Sequence, residues 1–378
     1  MALGIYVHLP FCPYICPYCD FAKWPLMRSR AVRYLDALHA EIASVPSRPA
    51  QTIFFGGGTP NTYDVNALLD LVATLRARFP SGDTSEITVE INPELVSDLD
   101  FRAYARAGVD RVSIGVQSFE AAEIATLGRK HTTADVARAV RLARASGIRS
   151  VSIDLMFAVP GQTPESWERS LDAAVALDVD HVSTYGLTIE EGTPYARWHA
   201  REPAAFMDDG AEAELYERAI ARLESAGYEH YEISNFARPS HRCRHNENYW
   251  RNGEYLGFGV GAASYRDGER SVHTRDLEEY MTAAREGLPI PGERERLEGL
   301  AVVGEAVMLA LRTAQGVTLD EFKERYGVDV ANRYAPVIAR YENDGLLERD
   351  ENVIRLTKRG RFVANDVCGA FVNFLEQH

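Results

Sequence analysis

Six short apolar runs recur through the first half of this chain, each leading into a stretch of helical periodicity, and nothing else restricts the fold so strongly. The runs are "GIYVHL" (4–9), "TIFFGGG" (52–58), "EITVEIN" (86–92), "RVSIGV" (111–116), "SVSIDLMF" (150–157) and "HVSTYGL" (181–187). Between them the spacing predicts helices over 32–43, 65–79, 98–107, 133–145 and 164–176. Gly108 and Gly147 stand just past two of these helices, where a left-handed cap is wanted. Alternating strands and helices read as a parallel α/β sheet, open or barrel-like. The runs are almost entirely apolar or β-branched, as strands covered on both faces must be.

In such folds chemistry collects at the C-terminal ends of the strands. Cys12–Cys19 follow the first run, Gly56–Pro60 the second, and Glu90–Asn92 close the third. Gln117, Asp154 and Tyr185 stand at or near the ends of the next three. A single rim gathers all of them.

Three of the five cysteines fall in "HLPFCPYICPYCDF" (8–21), spaced Cys12-x3-Cys16-x2-Cys19. An odd, clustered set favours metal or redox chemistry over a disulfide framework. Soft thiolates hold zinc or iron–sulfur clusters. Zinc needs a fourth donor, for which His8 or Asp20 is close in sequence. A [4Fe-4S] cluster on three cysteines instead keeps one iron open to a small molecule. The bland alternative, thiols as core filler, fits poorly with a loop bent by Pro13 and Pro17. "FFGGGTP" (54–60) adds a glycine-rich turn that can present backbone groups to a ligand, although a plain strand–helix turn has the same look.

Composition excludes several classes. A formal charge of −14 lacks the basic footprint that polyanions need, so no nucleic-acid partner is expected. No apolar run approaches the ~18–20 residues that span a bilayer. "MALGIYVHLPFC" has neither the basic start nor the long apolar stretch of a secretory signal, so a cytoplasmic protein is expected, with at most peripheral membrane contact.

The cysteine loop, the glycine turn and the strand-end residues together resemble the radical S-adenosylmethionine (SAM) enzymes. That resemblance implies a partial (βα)6 barrel of TIM type, a [4Fe-4S] cluster on Cys12, Cys16 and Cys19, and SAM chelated at the open iron. In that family one electron from the cluster cleaves the sulfonium to a deoxyadenosyl radical. The likeness narrows to the oxygen-independent coproporphyrinogen III oxidase branch through "YVHLPFCPYICPYCDF" (6–21), "VEINPE" (89–94), "SIGVQSF" (113–119), "LGRKH" (127–131) and "SIDLMFAVPGQT" (152–163). It implies that Gly57, Gly58 and Thr59 meet the methionine amino group, and that Glu90 and Arg129 hold the amino-acid and ribose portions. Gln117 and Asp154 would bind ribose or a neighbouring molecule, and Tyr6 and Tyr18 would pack on methionine and adenine. Ordinary alternatives are a rim salt bridge for Glu90 and Arg129 and a strand-end cap for Gln117.

Two departures separate the chain from the oxidase pattern. Phe21 stands where the oxidase has a further cysteine, and only 11 residues precede Cys12. "HNENYW" (245–250) and "CPYCDF" instead resemble the HemW-like haem chaperones. That likeness implies haem b as cargo, His245 as a candidate axial ligand, and delivery to haem-requiring proteins, respiratory and membrane-bound. Homodimerisation stays open. A histidine satisfied by hydrogen bonds beside packed aromatics is the competing reading of His245. Cys243 is either a second soft ligand or a buried thiol, and Cys368 reads as core.

The expected divisions are 1–190 for the cluster-bearing barrel, 191–292 for its completion with the HNxxYW region, and 293–378 for a smaller α+β, winged-helix-like domain. A helix over about 209–226 precedes a glycine- and aromatic-rich stretch of short strands or loops. From Thr318 onward there are 11 acidic against 9 basic residues, so partner docking or packing suits the winged helix better than DNA.

Overall fold

The computed structural model describes residues 3–80 and 85–374; the outermost residues of the first and last expected segments lie outside this range. The six apolar runs form strands β1 (Gly4–Leu9), β2 (Thr52–Gly57), β3 (Glu86–Ile91), β4 (Arg111–Gln117), β5 (Ser150–Phe157) and β6 (His181–Gly186). They lie side by side in chain order, each parallel to the next. Sequential parallel strands with helical crossovers make an arc of a barrel.

The arc is extended at both edges. Beyond β6 come β7 (Glu229–Glu232) and β8 (Asn235–Ala237), with β8 antiparallel to β6. Beyond β1 come β9 (Tyr255–Phe258), parallel to it, then β10 (Ala263–Arg266), β11 (Glu269–His273) and β12 (Gly292–Arg296) as an antiparallel meander. The division expected at 292/293 therefore falls at the start of a strand in the large sheet, and the one at 190/191 in the connection after β6.

The strands alternate rather than run apolar throughout: one face packs on the helices, while Thr88, Glu90, Ser113, Ser152, Asp154 and Ser183 point to the other. Ile5, Val7, Val89, Val112, Ile114, Val151, Ile153 and Val182 are all buried in one core with the helical layer. Helix Asp98–Ala107 starts on a Ser97/Asp100 capping box and ends on Gly108 at φ 90°, a conformation only glycine takes without strain. Trp167, on helix Pro164–Ala176, is the largest fully buried side chain, and its indole N–H donates to the Leu215 carbonyl at 2.8 Å. Trp167→Ala is expected to lower unfolding stability by about 3–5 kcal/mol through cavity formation, read by denaturant titration.

"RHNENYW" departs from the expected strands and loops: it is a helix, Arg244–Trp250, seated under β2. The tail carries a separate core from Val303 to Phe371. There Val317–Thr318, Val353–Leu356 and Leu347–Arg349 form a small antiparallel sheet behind short helices, the order of a winged helix. It meets the turn after helix Arg244–Trp250 through Arg325, whose guanidinium donates to the Arg251 and Asn252 carbonyls at 2.6 Å each. Among the described residues no helix is long and apolar enough to cross a membrane.

Candidate functional site

After β1 the chain turns into the cysteine loop. Phe11–Cys12 pairs with Trp24–Pro25, and Trp24 and Leu26 donate to the Pro10 and Cys12 carbonyls at 2.9 Å, closing the loop at its base. The glycine turn at the end of β2 is stitched to the same segment: Gly58 N donates to Leu9 O at 2.9 Å and Thr59 N to Phe11 O at 3.0 Å. Two backbone hydrogen bonds thus tie the loops together.

Together they wall a cavity of about 340 Å³ at the C-terminal ends of the strands. Cys12, Cys16 and Cys19 line one side, half-buried and unbridged. Burial pushes the Cys12 thiol up to about 11, against the Thr59 hydroxyl beside it. Among the described residues no three His, Cys, Asp or Glu side chains gather tightly enough to hold a single metal ion. The three thiols line one space, and soft donors of this kind suit an iron–sulfur cluster or zinc.

The opposite walls are polar. Arg129 Nη2 donates to the Gly115 carbonyl at 2.6 Å and to Asn92 Oδ1 at 2.9 Å, and its Nη1 lies 4.0 Å from Cys16 Sγ. Burial works against its charge, but the Tyr18 and Tyr14 phenols, Cys16 and Glu94 outweigh it and raise its pKa. Its Nε is buried without a partner among the described residues, and Arg129 lines the cavity. Glu90 accepts from Gly57 N at 3.2 Å; burial first, then the Asp154 charge, pushes its carboxyl up to about 8. Asp154 is raised as well, by burial, although Ser183 and Ser113 hydrogen-bond to it, the latter at 3.0 Å. Gln117 closes β4 at φ 65° after a break in register at Gly115, strain of about 1–3 kcal/mol of the kind found at ligand clamps.

Gly57, Gly58, Thr59, Glu90, Gln117, Arg129, Asp154 and Tyr18 all line this cavity with the three cysteines. Tyr6 does not. It stacks on Phe54, donates to His8 Nδ1 at 3.0 Å and lines a second cavity of about 490 Å³. His245 lines neither cavity. It is 1% exposed, its Nδ1 2.8 Å from Thr52 Oγ1 and its Nε2 2.7 Å from the Tyr249 hydroxyl, with Phe54 stacked on the ring. Both ring nitrogens are thus occupied, the hydrogen-bonded alternative weighed from sequence, and burial lowers the imidazole to about 3. Cys243 lies at the far end of the first cavity, buried, with Sγ 3.7 Å from Glu86; Cys368 sits in the tail core.

Sequence reasoning missed Arg111, Ser113, Ser183 and His181, all lining the cavity. Arg111 is buried at the start of β4, where it binds Ser150 Oγ at 3.0 Å and the His241 carbonyl at 3.2 Å. A charged residue opening an otherwise apolar strand was the available signal.

The Radical SAM superfamily matches residues 6–174, and the HemN C-terminal domain residues 301–363. Heme chaperone HemW of Bacillus subtilis (strain 168) is 36% identical over 376 residues, 98% of this chain and 99% of that protein. Heme chaperone HemW of Mycobacterium tuberculosis is 37% identical over 374 residues, 96% and 93% of the two chains. Coproporphyrinogen III oxidase HemN of Escherichia coli, a radical SAM enzyme, superposes with a TM-score of 0.86 over 99% of this chain and 90% of that one, at 24% identity, which is a likeness of fold. With relatives alike from end to end, this chain belongs to the HemW heme chaperone family of the radical SAM superfamily.

Proposed function

We propose that this chain carries haem b to haem-requiring proteins, with a [4Fe-4S] cluster on Cys12, Cys16 and Cys19 and SAM held beside it. The end-to-end likeness to heme chaperones carries the reading, at 36% identity over 99% of the relative's length. The cavity supports its cofactor half: three soft donors, an unpartnered buried guanidinium nitrogen, and carboxylates suited to an ammonium and a diol. When bound, the cluster supplies an open iron and one-electron redox chemistry.

The chain's own groups do the rest. Gly57, Gly58 and Thr59 bring backbone close to the ammonium, Glu90 offsets its charge, and Arg129 fixes the carboxylate side. Gln117 and Asp154 address the ribose, and Tyr18 packs at the mouth. Recipients, on the sequence resemblance, are respiratory haem proteins of the membrane, met peripherally from the cytoplasm by a monomer or a homodimer.

Glu90 supplies a pH test. Its carboxyl in the folded chain sits at about 8, above its ordinary 4.5, so at neutral pH it is mostly protonated. A bound ammonium favours the carboxylate, so SAM affinity is expected to rise with pH up to about 8, by at most roughly tenfold per unit. Equilibrium dialysis between pH 6.5 and 9, with Glu90→Gln alongside, checks this: the variant's curve is expected to be flatter. The ligand's own amino group titrates in both, so the difference isolates Glu90.

Oxidative decarboxylation of coproporphyrinogen is the competing reading, and the fold likeness is shared by both. Anaerobic turnover with cluster, reductant and SAM, followed by transfer of loaded haem to an apo-cytochrome, separates them. Transfer without multiple turnover is expected; protoporphyrinogen formed over many turnovers would reject the chaperone.

A further inference from the structure

Two residues other than glycine stand in the left-handed region at neighbouring strand ends: Gln117, closing β4 at φ 65°, and Ala158, directly after β5 at φ 61°. Such backbone persists only where its surroundings hold it in place. The hydrogen bonds around both turns lead to a single group.

That group is the carboxyl of Glu123, 3% exposed on the short helix Ala121–Thr126. It accepts from the Ser118 hydroxyl at 2.7 Å, from Gln162 Nε2 at 2.9 Å and from the Ser166 hydroxyl. Ser118 follows Gln117 directly. Its hydroxyl also accepts from Glu120 N at 3.0 Å, while Ser170 Oγ accepts from Phe119 N at 3.2 Å. Gln162 spans the other turn: Nε2 reaches back to the Met156 carbonyl at 3.3 Å, and its backbone N–H donates to Val159 O at 2.9 Å. Ser118, Gln162, Ser166 and Ser170 are all buried.

The three donors to Glu123 are neutral, so this is no ion pair. An apolar side chain would fill the same place without the cost of taking a carboxyl out of water. What the carboxyl adds is several acceptor positions on one rigid group, enough to fasten both turns at once. The fastened turns border the cysteine cavity, which Gln117 and Met156 line and Glu123 does not.

Resting on the SAM reading above, we propose that Glu123 is a positioning residue for SAM, one that locks the turn aiming the Gln117 amide at the ribose. It touches neither the ligand nor the cavity. Without its acceptors the turn after β4 relaxes toward ordinary backbone and carries the amide out of place.

A double-mutant cycle on cluster-loaded protein tests this, with SAM affinity measured by equilibrium dialysis. Glu123→Gln keeps the shape but sets an amide nitrogen against the Gln162 and serine donors; it is expected to lower SAM affinity about tenfold. Gln117→Ala should lose at least as much. The double variant should bind no worse than Gln117→Ala alone, because Glu123 acts only through that amide. Ser118→Ala leaves Glu123 two of its donors and should lose several-fold, again absorbed by Gln117→Ala. It stands in for Glu123→Gln if melting curves show that variant unfolded. Val140→Ala, a buried truncation on helix Thr133–Ala145, should lower the melting temperature with SAM affinity unchanged. SAM binding by Glu123→Gln equal to wild type, or losses that simply add in the double variant, would overturn the proposal and leave the SAM reading standing. Failure of loaded wild type to bind SAM would overturn the SAM reading itself.

Discussion

Cys16→Ser is expected to reduce iron and acid-labile sulfide, after anaerobic loading, from about four of each per chain to near background, with Cys12→Ser and Cys19→Ser doing the same. Each sulfur faces the same cavity, and hard serine oxygen is a poor substitute for thiolate. No ready replacement is at hand: Cys243 is buried at the opposite end beside Glu86, and burial holds its thiol up at about 12. Cys368→Ala, in the tail core, is the control and should leave iron content unchanged. Iron retained in any of the three serine variants would remove that cysteine from the ligand set.

A methyl group at Gly58 is expected to be nearly as damaging. A Cβ there would lie 2.7 Å from the Leu9 carbonyl oxygen and 2.7 and 2.8 Å from the Pro10 carbonyl carbon and oxygen, all backbone that cannot swing aside. These are the atoms leading from β1 into the cysteine loop. Gly58→Ala must therefore part the two loops by a substantial fraction of an ångström. Overpacking of this kind costs about 1–3 kcal/mol. Misplacing a binding group by about an ångström can lower function about a hundredfold. We expect SAM affinity in dialysis to fall by about that factor and the melting temperature to drop. Gly161→Ala, whose Cβ would meet nothing within 4 Å, pays only for its left-handed backbone and should bind SAM normally.

Much of the fold was legible because periodicity reports burial directly. The strand runs reappear as β1–β6 to within a residue at their ends, and helices 98–107, 133–145 and 164–176 have the expected limits. The first helix starts earlier than its apolar stripe, at Arg28, because exposed charged residues can extend a helix without revealing a face. The rim was legible through strand ends, which a parallel sheet brings to one side whatever the intervening lengths. What stayed hidden depends on lateral neighbours. Tyr6 sits one pleat from His8, yet whether it faces the cysteines or the second cavity depends on β9, some 250 positions away in sequence. The enclosure of His245 by Thr52, Phe54 and Tyr249 depends likewise on a helix packing under a distant strand. The short "RHNENYW" segment, polar and aromatic without a clear stripe, gave no helical period to read.

The most direct test is Mössbauer spectroscopy of protein loaded anaerobically with isotopically enriched iron, before and after SAM. A cluster with three cysteine ligands should show one iron distinct from the other three, and that site alone should shift when SAM is added. Four sites indifferent to SAM, or a protein that takes up zinc and no iron, would contradict it.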